Sequence, residues 1–513
     1  MKTLLNSYKD GSIFLLEVPI PRVLPGQILI KSHLSLLSSG TEKILIEFGK
    51  SNLLEKAKSQ PEKVKEVIQK ASNDGIYSTY QSVKNKLEEA IPMGYSNVGT
   101  VVAIGENVKD FNIGDRVISN GPHAEFVSVS KHLCAKIPSK VSDQEALFTI
   151  LGAIGLNGIR LANPLFGETF LVCGLGIIGL LTAQLLKANG CKVLGVDPDK
   201  SKCIIANKLG IKSLLLDKDS NPLDWCLKET SDIGVDGVII TASTKSNEPI
   251  NLAAKASRKK GRIILVGQTA LNLERSLFYK KELTFQVSCS YGPGRYDTEY
   301  EIKGNDYPIG YVRWTEQRNF QAVLNAIDNN SLKTVDLVTR YFEFADAKKA
   351  YEYLLKETSS LGLILKYPKS EEFPSNRVLS LNKSDTKNIL EKEIIKENNI
   401  SFIGAGSYAG KVLIPIFAKA DANLKILASN NGINPAILGK KFNFEQASTD
   451  IESTINDPET NTIVISTRHD SHADLVLKSI SAGKNIFVEK PLCLNKKQLI
   501  EIEKKISNSN NII

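Results

Sequence analysis

No apolar run in the sequence is long enough to cross a bilayer, and the N-terminal stretch MKTLLNSYKDGSIFLLEV lacks a secretory-leader layout. A cytoplasmic protein without a membrane span is the expectation. Cysteines are few and scattered: the seven, at 134, 173, 191, 203, 226, 289 and 493, form no C-x-x-C pair. They read as reduced, mostly buried thiols, not as a disulfide or zinc framework. The excess of positive charge is modest. Sixty-five Lys and Arg against 56 Asp and Glu give +9, spread over helices and linkers without an aromatic-interleaved basic stripe. Nucleic acid is therefore not an expected partner.

What is present is an ordinary globular composition, 42% apolar and 24% charged, over 513 residues, enough for two or three domains. Residues 1–150 alternate short strands and turns, among them Val98–Ile104 and Arg116–Ser119. The segment of about 50–90 differs: helix formers recur at helical spacing, with Pro61 placed as at a helix start. This helical insertion is a lid, a subunit contact in a homo-oligomer, or a plain surface excursion. Residues 151–290 alternate strands and helices as a doubly wound parallel sheet does, and 291–367 add further strands and helices. Residues 368–398 are polar and charged, a linker with some helix at its end, and the strand–helix alternation restarts over 399–513. The fold class is α/β, with two Rossmann-type sheets.

Each sheet opens on a glycine loop. VCGLGIIG places Gly174, Leu175, Gly176, Ile177, Ile178 and Gly179 between a buried strand and an apolar helix. The first glycine permits the tight turn, the second lets a pyrophosphate approach the backbone, and the third lets helix pack on strand. Asp197 ends the next strand, close to the ~20-residue spacing at which a carboxylate takes the ribose hydroxyls, and it would repel a 2′-phosphate. NAD is the expected cofactor there. FIGAGSYAG repeats the pattern with Gly404, Gly406 and Ala409, but the following strand ends in Ser429 and Asn430 with no acid. NAD and NADP stay open for this second loop.

The first 367 residues resemble the medium-chain dehydrogenase/reductases, through SSGTE (38–42), GYSNVGTVVAIGENV, HAEFVSVS, the first glycine loop and ADAKKAYEYLLKETSSLGLILKY. The resemblance implies a GroES-like β-barrel domain over 1–150, a Rossmann domain over 151–290, and last strands that return to the barrel. The family's catalytic zinc ligands fall here on Ser39, on Tyr95 and within Phe148–Ala153, none of them Cys, His, Asp or Glu. Zinc needs nitrogen, sulfur or carboxylate donors, so no metal is expected. Hydroxyl and guanidinium donors are left to polarise the substrate oxygen: Tyr95, Thr41, and Tyr291, Arg295 and Tyr296 of the loop SYGPGRYD. For each of these, surface loop or core packing is the competing reading.

From about 399 the chain resembles the N-terminal half of the Gfo/Idh/MocA oxidoreductases, through FIGAGSYAG and ISTRHDSHADLVLKSISAGKNIFVEKPL. That resemblance implies a cofactor site including Thr467, His472 and Glu489, with Lys490 beside the nicotinamide and the substrate hydroxyl. The pair implies a zinc-free NAD(P)-linked oxidoreductase acting on a sugar, polyol or sugar nucleotide, associated with surface polysaccharide metabolism. Two alternatives stand beside it: a dinucleotide-binding or regulatory protein that has lost catalysis, and a zinc-free enone or quinone reductase, which Asp197 disfavours.

Overall fold

The computed structural model describes residues 1–38, 40–52, 55–56, 64–65, 90–357, 359–369, 377–381, 398–420, 422–509 and 511–513. The helical insertion expected over 50–90 and the helix expected near 398 fall almost wholly outside them.

The N-terminal part is built on one long strand. β1 (Lys2–Ser7) and β2 (Ile13–Glu17) form an antiparallel hairpin, followed by β3 (Gln27–Ser38). A helix, Thr41–Lys50, leaves the end of β3. Then come β4 (Ala90–Pro92), β5 (Asn97–Ile104), β6 (Arg116–Ser119), β7 (Phe126–Ser130) and β8 (Cys134–Lys136). β3 pairs antiparallel with both β5 and β7. Ile28 and Ile30 of β3 close with Val101, Val117 and Val127 over the barrel core, all fully or almost fully buried. β-branched residues on a half-buried pleat favour these strands.

A helix, Thr149–Ala162, leads into the first Rossmann sheet. Its strands are β9 (Thr169–Cys173), β10 (Lys192–Asp197), β11 (Lys212–Leu215), β12 (Val235–Ile240), β13 (Ser257–Leu265) and β14 (Thr284–Val287), in the spatial order β11-β10-β9-β12-β13-β14. Every pairing is parallel. The helix Glu248–Ala256 between β12 and β13 stops short within EPINLAAKASRKKG: the Ser257 hydroxyl donates back to the Ala253 carbonyl at 2.7 Å and Lys260 takes a left-handed φ of 59°.

β15 (Val338–Glu343) and β16 (Gly362–Lys366) then return to the barrel, β16 pairing antiparallel with β3. The resulting sheet runs β15-β16-β3-β5-β6-β8, with β7 also on β3. The final domain holds β17 (Val378–Ser380), β18 (Asn399–Ile403), β19 (Asn423–Ala428), β20 (Gln446–Ser448), β21 (Thr462–Ile465) and β22 (Asn485–Val488), in the order β17-β20-β19-β18-β21-β22. β17, inside the polar stretch read as linker, is an antiparallel edge strand on β20. The fold is thus mixed α/β, a GroES-like barrel with two Rossmann-type sheets.

The last domain is docked on the first by the segment after β2. Val18 is buried with Ala436 and Ala447, the Thr449 hydroxyl donates to the Ile20 carbonyl, and the Arg22 N–H donates to the Asn430 carbonyl at 3.0 Å.

Candidate functional site

In an open parallel sheet, ligands settle where the strand order reverses, beyond the carboxyl ends of the strands. In the first Rossmann sheet that point lies between β9 and β12. Gly174 makes the turn with φ +98°, and a Cβ there would come within 2.7 Å of the Ala242 backbone. Gly176 differs: a Cβ added to it meets nothing within 4 Å, so the space above the turn is open. Gly179 lies against Gly174, where a Cβ would stand 1.9 Å from the Gly174 oxygen. Leu175 and Ile177 are buried beneath the loop.

The loop lines a cleft of about 1030 Å³. Asp197 is on its wall, 5% exposed, accepting the Leu175 N–H at 2.7 Å and the Asp199 N–H at 2.8 Å. These bonds hold the carboxylate against the glycine turn. Thr241, Ala242 and Ser243, beyond β12, form the opposite wall. The cleft fits a dinucleotide: an open seat over backbone N–H groups, and an acid one strand away for ribose hydroxyls.

The same cleft reaches the barrel, where Ser38, Tyr95 and Leu151 line it. The Tyr95 and Ser38 hydroxyls share a hydrogen bond of 2.6 Å. The Ser38 N–H donates to Glu42, 1% exposed, whose other oxygen accepts from the Tyr351 hydroxyl and lies 3.3 Å from His123 Nε2. His123 Nδ1 lies 2.7 Å from the Ser35 hydroxyl, itself 2.9 Å from the Tyr367 hydroxyl. Burial and the neighbouring Glu42 carboxylate push the Tyr351 hydroxyl well above its ordinary range. The pocket end of this network consists of hydroxyls beside an apolar helix. Among the described residues no three His, Cys, Asp or Glu side chains converge, and the Ser38 and Tyr95 hydroxyls are not of the nitrogen, sulfur or carboxylate type that zinc takes. Ser39 lies outside the described residues, and of Thr41 only its place at the start of a helix is described.

Tyr291, Arg295 and Tyr296 do not line this cleft. Tyr291 is buried, its hydroxyl accepting from Asn120 at 3.3 Å, and burial pushes its pKa up to about 12. Arg295 is tied to Glu301 at 2.6 Å, and Tyr296 is 71% exposed at φ 67°. Behind them sits Glu316, fully buried, with no hydrogen-bond partner on either carboxyl oxygen among the described residues. Burial first, and Glu301 second, raise its pKa to about 9.

The second loop repeats the first. Gly404 turns at φ +114° against Ser466, beyond β21, and Gly406 again has open space where a Cβ would stand. Ala409, buried, takes the place of the third glycine, and the chain winds as a π-helix over Ala409–Leu413 before a short α-helix, Ile414–Phe417, containing Pro415. Ser429 is half-buried and Asn430 exposed at the end of β19. His472 is fully buried, Nδ1 lying 2.8 Å from the Pro491 carbonyl and Nε2 3.2 Å from the Thr467 carbonyl. It ties the Glu489-Lys490-Pro491 turn to the strand end carrying Thr467. The Glu489 N–H donates to the Ile465 carbonyl at 3.0 Å, and Lys490 is exposed.

Sequence reasoning missed Ser38, Glu42, His123 and Tyr351 as one network, because Tyr351 lies 309 positions from Glu42. It also missed the Thr241–Ser243 wall, for which the polar TAST directly after a buried strand was the available signal.

Residues 178–302 match the family model for the zinc-binding dehydrogenases, and residues 398–513 match that for the oxidoreductase family, NAD-binding Rossmann fold. Among curated relatives, D-guloside 3-dehydrogenase of Escherichia coli is 26% identical over 279 residues, covering 50% of this chain and 72% of that protein. D-xylulose reductase of Scheffersomyces stipitis is 25% identical over 307 residues, 52% of this chain and 80% of the relative. An alcohol dehydrogenase from Thermus sp. ATN1 superposes with a TM-score of 0.54 at 18% identity, over 72% of this chain and all of its own. No described helix is long and apolar enough to cross a membrane. The chain thus carries two oxidoreductase-type segments, one matching the zinc-binding dehydrogenases and one matching the oxidoreductase family with the NAD-binding Rossmann fold, on a fold shared with the medium-chain dehydrogenases.

Proposed function

We propose that the protein is a zinc-independent, NAD(P)-linked oxidoreductase that interconverts a hydroxyl and a carbonyl on a sugar, polyol or sugar nucleotide, with NAD in the first module. The observation that carries this reading is the single cleft running from Asp197 past the open seat at Gly176 to the Ser38–Tyr95 hydroxyl pair. The similarity to a D-guloside 3-dehydrogenase and a D-xylulose reductase supports the substrate class.

When bound, the nicotinamide supplies hydride transfer. Asp197, fixed by the Leu175 N–H, accepts from the adenosine ribose hydroxyls, and the turn at Gly176 seats the pyrophosphate. Tyr95 and Ser38 hold the reacting oxygen. As a hydroxyl is oxidised, its proton passes to Tyr95 Oη, the Tyr95 proton moves to Ser38 Oγ, and the Ser38 proton leaves to solvent in the cleft. Glu42, accepting the Ser38 N–H, fixes where Ser38 stands. Thr41, at the start of the helix that follows Ser38, and Lys490, in the second module, complete the set of candidate donors; Tyr291, Arg295 and Tyr296 lie off this cleft and drop out of it.

The test is turnover followed by nicotinamide absorbance against a panel of sugars, polyols and sugar nucleotides, repeated with Tyr95→Phe and Lys490→Ala. Absence of turnover on every substrate, with NADH binding intact, would favour a dinucleotide-binding protein without catalysis. The hydroxyls of Ser38 and Tyr95, weaker polarising groups than a metal, favour that second reading.

A further inference from the structure

We propose that Arg22, contributed by the first module, binds the 2′-phosphate of NADP(H) held in the second. This rests on the reading that the C-terminal Rossmann domain binds a nicotinamide dinucleotide, and it adds which one and through which residue.

The residue after the second strand of a Rossmann sheet decides this selectivity: a carboxylate takes the ribose hydroxyls, whereas a nearby arginine accommodates a 2′-phosphate. In the second module that place is held by Ser429 and Asn430, and neither repels an anion. Val18–Arg22 crosses the carboxyl ends of β20 and β19, touching Thr449 beyond β20 and then Asn430 beyond β19. Pro19 presses on Gly432, where a Cβ would lie 2.5 Å from the Pro19 oxygen. Arg22 is thereby fastened, through its own N–H, to the residue that faces the ribose in this fold. Its side chain is half-buried and has no hydrogen-bond or ion partner among the described residues. A guanidinium is always charged and pairs with phosphate through two N–H groups at once.

Two further features join this loop to the glycine turn. The helix Ile433–Lys441 begins at Gly432, just beyond Ser429 and Asn430, with no side-chain cap. Asn434, in its first turn, donates to the Ala405 carbonyl of the glycine loop at 3.0 Å. The loop carrying Asn430 is thus bonded on one side to Arg22 and on the other to the pyrophosphate seat. The two modules would then choose different coenzymes, Asp197 favouring NAD in the first and Arg22 favouring NADP in the second.

The experiment uses full-length protein carrying Gly176→Val, which fills the open seat of the first module and leaves the second as the titratable site. Calorimetric titrations with NADPH and NADH are compared, then repeated with Arg22→Gln and Arg22→Lys added. NADPH should bind about tenfold to a hundredfold more tightly than NADH, the range of a charge-assisted hydrogen bond. Arg22→Gln should bring NADPH to the NADH affinity, Arg22→Lys should keep part of the preference, and NADH affinity should stay within about twofold throughout, which reports an intact fold. Equal affinities before substitution, or a preference that survives Arg22→Gln, would overturn the role of Arg22 and leave dinucleotide binding standing. Binding of neither coenzyme would overturn both.

Discussion

Gly176 and Gly179 lie three residues apart in one loop, and the structure gives them opposite consequences. A Cβ at 179 would stand 1.9 Å from the Gly174 oxygen and 2.8 Å from the Thr241 hydroxyl. Ordinary contact begins near 3.4 Å, so the first overlap is about 1.5 Å against backbone, which cannot rotate away. Overpacking of this kind costs about 1–3 kcal/mol, and a backbone neighbour puts Gly179→Ala at or above the upper end. For a domain of this size about 3 kcal/mol lowers Tm by roughly 6–12 °C. Gly176 has φ −64° and ψ −175°, an extended conformation that valine adopts readily, and nothing lies within 4 Å of its missing Cβ. Gly176→Val should therefore shift the ligand-free Tm by no more than the ~1 kcal/mol of an altered helix cap. Its effect should appear on binding. At NADH about 100-fold above Kd, the wild-type site gains about 2.7 kcal/mol, and the variant should lose that gain. Differential scanning fluorimetry with and without NADH reads both variants, with Gly406→Val added so that the first module alone reports. A Gly179→Ala protein that melts with the wild type, or a Gly176→Val protein that keeps its full NADH upshift, would refute this account of the loop.

Tyr95→Phe removes the hydroxyl 2.6 Å from Ser38 and should lower kcat about 10²-fold with NADH affinity unchanged; an equal fall in coenzyme affinity would mean the residue only shapes the cleft. Glu316 keeps its proton to about pH 9 in the fold but releases it near 4.5 when unfolded. Between those values the native state binds more protons, so stability should fall as pH rises through the window, and Glu316→Gln should flatten the pH dependence of Tm between pH 5 and 9 by roughly the whole of this contribution. Cys289 is exposed and Cys493 partly so, whereas Cys134, Cys173, Cys191, Cys203 and Cys226 are buried with thiols pushed up by burial. A chromogenic thiol reagent should label Cys289 first, Cys493 more slowly, and the other five only in denaturant.

The two glycine loops were legible because their chemistry is local: strand, turn and helix start occupy one short window, and Asp197 follows at the spacing one crossover imposes. Arg116–Ser119 forms as read from its bounding turns, since the strand period and the turn glycine Gly114 are also local signals. Long-range contacts were not legible. Nothing near Glu42 signals that Tyr351 donates to it, nor does Tyr95 name Ser38, 57 positions away, as its partner. The strand Val378–Ser380 escaped notice because an edge strand is held by backbone bonds that a polar sequence does not advertise. After the second glycine loop, Pro415 lacks the N–H that an α-helix interior requires, and SYAGKVLIPIFAKA divides into π and α turns around it.

The return of β16 to β3 sets an order on biosynthesis. Gly362 pairs with Ser38, and Tyr367 meets Ser35 across 332 positions of chain. Until the ribosome has made Gly362–Lys366, the flank of β3 that carries Ser38 presents bare backbone and the side chains of Leu36 and Leu37, both nearly inaccessible in the finished protein. A nascent chain that already has a complete first Rossmann sheet is therefore still open at the strand carrying Ser38. Fragments that end before Gly362 should therefore associate through that flank or be captured by chaperones.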